Sequence, residues 1–142
     1  MNIFTKIKQI NMKIAVYGSL REGLSNHSLI ESSEYVGQFE TPHMYNLLDL
    51  GAFPGLTKNG STSVVMDVYE VNSKILKKLD ALEGYRAENL KSSFYIREKI
   101  DSPLGQVSTY FLNKDHPTGE DNKVSSGDWT DYYKTKRITK TY

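Results

Sequence analysis

Residues 63–71, SVVMDVYEV, constrain the fold of this chain more than any other stretch. β-branched and aromatic residues dominate it, and Val64, Met66, Val68 and Glu70 alternate with Val65, Asp67 and Tyr69. That period of two predicts a strand with two distinct faces. A helix follows at once. Asn72 or Ser73 caps SKILKKLDALEG, Ile75, Leu76, Leu79 and Leu82 form one apolar stripe, and Gly84 stops it.

Further strands are predicted at 13–17 (KIAVY), 35–40 (YVGQFE), 43–50 (HMYNLLDL), 93–100 (SFYIREKI) and 105–113 (GQVSTYFLN). Thr41-Pro42 separates the second from the third, and a hairpin-sized turn over 101–105 joins the last two. Asn26 is set to cap a short helix, HSLIESS, whereas GAFPGLTKNGS (51–61) reads as a loop from its glycines and proline. Strands outnumber helices and are not matched to them one by one. The expected class is therefore α+β, with a curled or barrel-like mixed sheet and helices at its ends.

A chain of 142 residues fits one domain, and no repeat or linker divides it. The net charge of +1 argues against organisation around a polyanion, and the basic KTKRITK near the end is short enough for a solvated tail. Cysteine is absent, which excludes thiolate chemistry and disulfides and fits a reducing, cytoplasmic location. No apolar run approaches the roughly 18 residues of a membrane span, and the N-terminus lacks the core of a signal peptide. Residues 1–12 read as an extension before the domain (13–129), and residues 130–142 as a polar tail.

Chemistry concentrates in two places. The first is the loop GSLREG after the strand at 13–17. It has the glycine spacing of a phosphate loop, but Leu24-Ser25 stand where the lysine would be, so a nucleoside triphosphate site is rejected. A nucleophile elbow is missing too, since Tyr17 and Arg21 occupy the positions two residues either side of Ser19. Nothing in the sequence orients His27, His43 or His116 toward Ser19 for triad hydrolysis. Gly18 would let the backbone approach a ligand, and successive N–H groups at a strand end can hold a carboxylate or an oxyanion. The plain alternative is a tight turn.

The second is Glu83, which follows Leu79 by four residues and Leu76 by seven and so shares their stripe at the helix C-terminus. Burial and the macrodipole both raise a carboxyl pKa there, as acid–base chemistry near neutrality requires. The competing reading is a frayed end with Glu83 in water. No ligand spacing for a metal is visible. Of the ten tyrosines most are expected to pack, although Tyr17 and Tyr110 sit on strands where they could line a pocket.

Taken in order, VYGSLREG, GAFPGL, DVYEV leading into LDALEGY, FYIRE and SGDW resemble the gamma-glutamylcyclotransferase superfamily, and most of all its gamma-glutamylamine cyclotransferase-like branch. The likeness spans roughly residues 13–129. It implies a mixed β-barrel with flanking helices and a cavity at the Tyr-Gly-Ser-Leu loop. Tyr17, Gly18, Ser19 and Leu20 then bind a small gamma-glutamyl substrate, and Glu83 is the catalytic acid/base. The implied reaction is intramolecular aminolysis to 5-oxoproline with release of an amine, without cofactor, metal, nucleic acid or membrane. The competing class is a non-catalytic module that binds a small anionic or gamma-glutamyl ligand in the same cavity.

Overall fold

The structure, a computed structural model, describes residues 11–114 and 122–140, with only the backbone of 137–140. The expected N-terminal extension therefore lies outside the described residues except for its last two, and so does His116.

The described residues form seven strands: β1 (Met12–Val16), β2 (Glu34–Glu40), β3 (Tyr45–Asp49), β4 (Pro54–Lys58), β5 (Val65–Val71), β6 (Tyr95–Ile100) and β7 (Val107–Leu112). Helix α1 (Ser73–Leu82) follows β5, and α2 (Trp129–Lys140) ends the described chain. Five strands form one sheet in the order β2-β5-β1-β7-β6, while β3 and β4 form a separate hairpin. β1 runs antiparallel to β5 and parallel to β7, so the sheet is mixed. The strand hydrogen bonds of the described residues form no closed ring, so α+β with a mixed sheet is the architecture observed.

Alternation along β1 and β5 divides the core in two. Ala15, Tyr17, Val64, Met66 and Val68 pack on one side with Leu47 and Leu56 of the hairpin and with Trp129. Ile14, Val16, Tyr69 and Val71 face the other side, where Leu79 of α1 and Ile30 are fully buried. Each such side chain contributes about 1.5–3 kcal/mol of transfer free energy. The Asn72 side chain accepts a hydrogen bond from the Ile75 N–H, and Gly84 takes φ +64° past the end of α1, so the predicted cap and stop both hold.

Four local expectations change. His27–Leu29 forms a single 3₁₀ turn rather than a helix over 27–33, and the Asn26 side chain makes no cap bond. Leu82 is 42 % exposed and off the buried stripe. The stretch 51–61, expected as loop, contains β4. Pro54 stands at its first position, where the missing N–H is harmless, and Gly55 lets Leu112 pack against its backbone. Finally, a helix runs through the stretch expected as a polar tail. Tyr132 and Lys136 of α2 both bond to Asp49 Oδ2, at 2.6 and 2.7 Å, and tie the helix to the hairpin.

Candidate active site

β1 ends at Val16, and the chain leaves the sheet through Tyr17–Arg21. This loop is held from several sides. The Arg21 N–H donates to Gly18 O at 3.0 Å, and the Asn26 N–H to Ser19 O at 2.9 Å. Asn26 Nδ2 donates to Ser19 Oγ at 2.8 Å, and His27 Nδ1 lies 2.9 Å from Leu20 O. Because a carbonyl oxygen only accepts, Nδ1 carries the proton in that contact.

Beneath the loop, Arg21 is 7 % exposed and bridges two carboxylates: Nε to Asp67 at 2.9 Å and Nη1 to Asp128 at 2.8 Å. Gln38 donates to the other Asp67 oxygen at 2.8 Å. Asp128 Oδ1 also accepts from the Asp131 N–H in the first turn of α2. The preceding Gly127 adopts φ +71°, with its Cα pressed against the Ser63 carbonyl where no Cβ would fit. The SGDW motif is thereby explained: glycine for a close approach, aspartate for Arg21, and tryptophan for the core.

A cavity of ≈ 390 Å³ opens at this end of the sheet. Tyr17, Gly18, Ser19, Leu20, Glu83 and Tyr110 all line it, so the six residues singled out in the sequence meet at one place. The reason for Gly18 differs from expectation. A Cβ there would stand 2.7 Å from Pro54 Cγ, so the glycine admits the Pro54 ring rather than a ligand. The N–H groups of Ser19 and Leu20 have no acceptor among the described residues and remain as donors for an anion.

Glu83 caps the C-terminus of α1 and is half-buried. Its carboxyl has no hydrogen-bond partner among the described residues. Loss of water around it, and secondarily the nearby Asp80 charge, raise its pKa from the ordinary 4.5 to about 7. Three buried tyrosines surround it. Tyr17 donates to the Tyr110 carbonyl at 2.6 Å, Tyr95 to the Pro54 carbonyl at 2.6 Å, and Tyr110 to Asp80 Oδ1 at 2.7 Å. Burial raises all three phenol pKa values, and the Glu83 charge raises them further. They stay protonated, with the protons committed, so only oxygen lone pairs remain for a ligand. Such a wall offers acceptors to an amine, and the loop offers donors to an anion.

Ser19 Oγ is bonded to Asn26 and to no histidine, while His43 lies at a different surface pocket beside Lys58 and Glu98. No group of three metal-capable side chains occurs among the described residues. No helix among them is long and apolar enough to cross a membrane.

Several contributors carried no signal of their own. Tyr95, Pro54 and Asp80 lie inside FYIRE, AFPGL and LDALEGY, yet nothing local marks them as site residues. Arg21 finds Asp67 and Asp128 from 46 and 107 positions away.

Comparison with known proteins agrees with this geometry. The sequence profile of the family described as "Gamma-glutamyl cyclotransferase, AIG2-like" matches residues 14–131. A Vibrio cholerae protein provisionally named gamma-glutamylcyclotransferase is 40% identical over 116 residues, covering 82% of this chain and 93% of its own. A gamma-glutamylcyclotransferase family protein of Escherichia coli is 32% identical over 120 residues, covering 84% and 97%. A crystal structure from Pyrococcus horikoshii superposes with a TM-score of 0.70 at 21% identity, covering 89% of this chain and 97% of that one, a likeness of fold.

Proposed function

The chain belongs to the gamma-glutamyl cyclotransferase, AIG2-like family, and on that premise we propose that it cyclises a gamma-glutamyl amide to 5-oxoproline and releases the amine. The observation that carries this reading is the Glu83 carboxyl. Among the described residues it has no hydrogen-bond partner; its pKa is raised to about 7, and it shares the cavity with two backbone donors that have no acceptor there.

The substrate α-carboxylate lies against the Ser19 and Leu20 N–H groups, and the amine faces Glu83 and the phenol oxygens. Ionised Glu83 takes a proton from the neutral α-amine as its nitrogen attacks the γ-carbonyl carbon. The C–N bond closes a five-membered ring, and negative charge gathers on the carbonyl oxygen. When that intermediate collapses, the bond to the leaving nitrogen breaks, and Glu83 returns the proton to it. The proton count closes on one carboxyl. Folding the glutamyl chain back makes the attack unimolecular, which lowers the barrier by at most about 7–11 kcal/mol.

Release of 5-oxoproline from a panel of gamma-glutamyl amides tests the reading. Glu83→Gln should cut turnover about a hundredfold or more while the protein stays folded. A folded variant with wild-type turnover would refute the role of Glu83. Ligand binding without turnover in either protein would favour the non-catalytic module.

A further inference from the structure

The cavity has another wall, which the reacting groups do not use. Phe53, Leu82 and Phe94 line it and are 39 %, 42 % and 44 % exposed. Single exposed apolar residues are ordinary, but here three stand together at one cavity mouth. The Phe53 and Phe94 rings meet edge-on at 6.1 Å, and Phe94 meets Tyr95 at 4.9 Å. One aromatic surface therefore runs from solvent into the cavity.

Charge narrows what this surface can accept. Among the described residues, the cavity lining contains no lysine, arginine or histidine, and Glu83 is its only carboxyl. Asp80 adds a second negative charge close behind. Arg97 is turned to Asp80, with Nε 3.6 Å from Oδ1, and stacks over the Tyr85 ring. A carboxylate on the leaving amine would face a carboxyl and phenol oxygens, with no cation among the described lining residues to offset it.

Position completes the case. The leaving nitrogen must reach Glu83 to receive its proton, so its substituent must pass the residues flanking Glu83. Leu82 precedes it, and Phe94 packs beside Gly84, where a Cβ would come within 3.3 Å of Phe94 Cβ. We infer that this rim selects the leaving amine: the site takes gamma-glutamyl amides whose nitrogen bears an apolar, preferably aromatic, group without a carboxylate. Phe53, Leu82 and Phe94 are the residues that set this specificity. The inference rests on the cyclotransferase reading but is tested apart from it.

N-substituted glutaramic acids keep the acid and the amide but lack the α-amine, so they bind without cyclising. Calorimetric titration of the N-benzyl, N-methyl and N-carboxymethyl compounds should rank benzyl above carboxymethyl by about ten- to a hundredfold, the range for burying one aromatic group. Phe53→Ala and Phe94→Ala together should bring the two within about threefold and leave the methyl compound unchanged. Leu82→Gln, at an exposed helix position, should lower benzyl affinity independently.

Equal or tighter binding of the carboxymethyl compound would overturn the inference. So would a benzyl preference that survives the substitutions, or no binding of any of the three. The matching gamma-glutamyl amides separate the two claims. A benzyl preference in binding with no 5-oxoproline from any amide defeats the cyclotransferase reading alone. Equal turnover of all three amides defeats the rim alone.

Discussion

Glu83→Gln should stabilise the protein at alkaline pH and leave its stability unchanged in mild acid. In the folded chain the Glu83 pKa is about 7, against 4.5 ordinarily. Between those values the native state holds a proton that the unfolded chain has lost, so stability falls as pH rises through the window. Above it, the rise in pKa corresponds to about 3 kcal/mol of destabilisation, reduced to about 2 because the side chain is only half-buried. Glutamine has nearly the shape of the protonated acid and no charge to desolvate. Thermal unfolding followed by circular dichroism should therefore show the variant melting about 6 °C higher near pH 8.5, with no difference near pH 4.5. A melting difference independent of pH, or a variant less stable at pH 8.5, would refute the burial argument for Glu83.

Asp80→Asn should move the acid limb of the kcat/KM profile to lower pH, because it removes the like charge near Glu83 and keeps an oxygen acceptor for the Tyr110 hydroxyl. Only part of the Glu83 shift should disappear, since burial is its larger cause, and an unmoved limb would count against the coupling. Arg21→Ala strands the buried Asp67 carboxylate and should cost about 3–5 kcal/mol, read as a fall in the urea midpoint. An unchanged midpoint would show that the Arg21 bridge is not structural.

The features legible in the sequence are those with a local cause. Alternation placed β5, a side-chain oxygen at Asn72 and a glycine at 84 bounded α1, and the helical period put Glu83 on the inward stripe, where the structure shows it lining the cavity. The hidden features have distant causes. β4 is written in residues that usually break strands, and it forms because β3 pairs with it and Leu112 needs the space above Gly55. Helix α2 has a largely polar sequence, and it is held by Trp129 and by the Tyr132 and Lys136 bonds to Asp49. Leu82 satisfies the apolar period yet belongs to the cavity mouth, a distinction periodicity alone does not make.

The bridge from Arg21 to Asp128 has a consequence for how the protein is made. A ribosome releases the Tyr17–Arg21 loop early, but Asp128 follows 107 residues later. Tyr17 likewise waits for a carbonyl 93 residues downstream. Contacts of such separation carry a loop-closure cost that must be met before they contribute anything, so they form late. On the nascent chain the long-range anchors of the loop are therefore the last of its contacts to form. A chain terminated before residue 128 would carry every loop residue and its local hydrogen bonds, but only the Asp67 half of the Arg21 bridge.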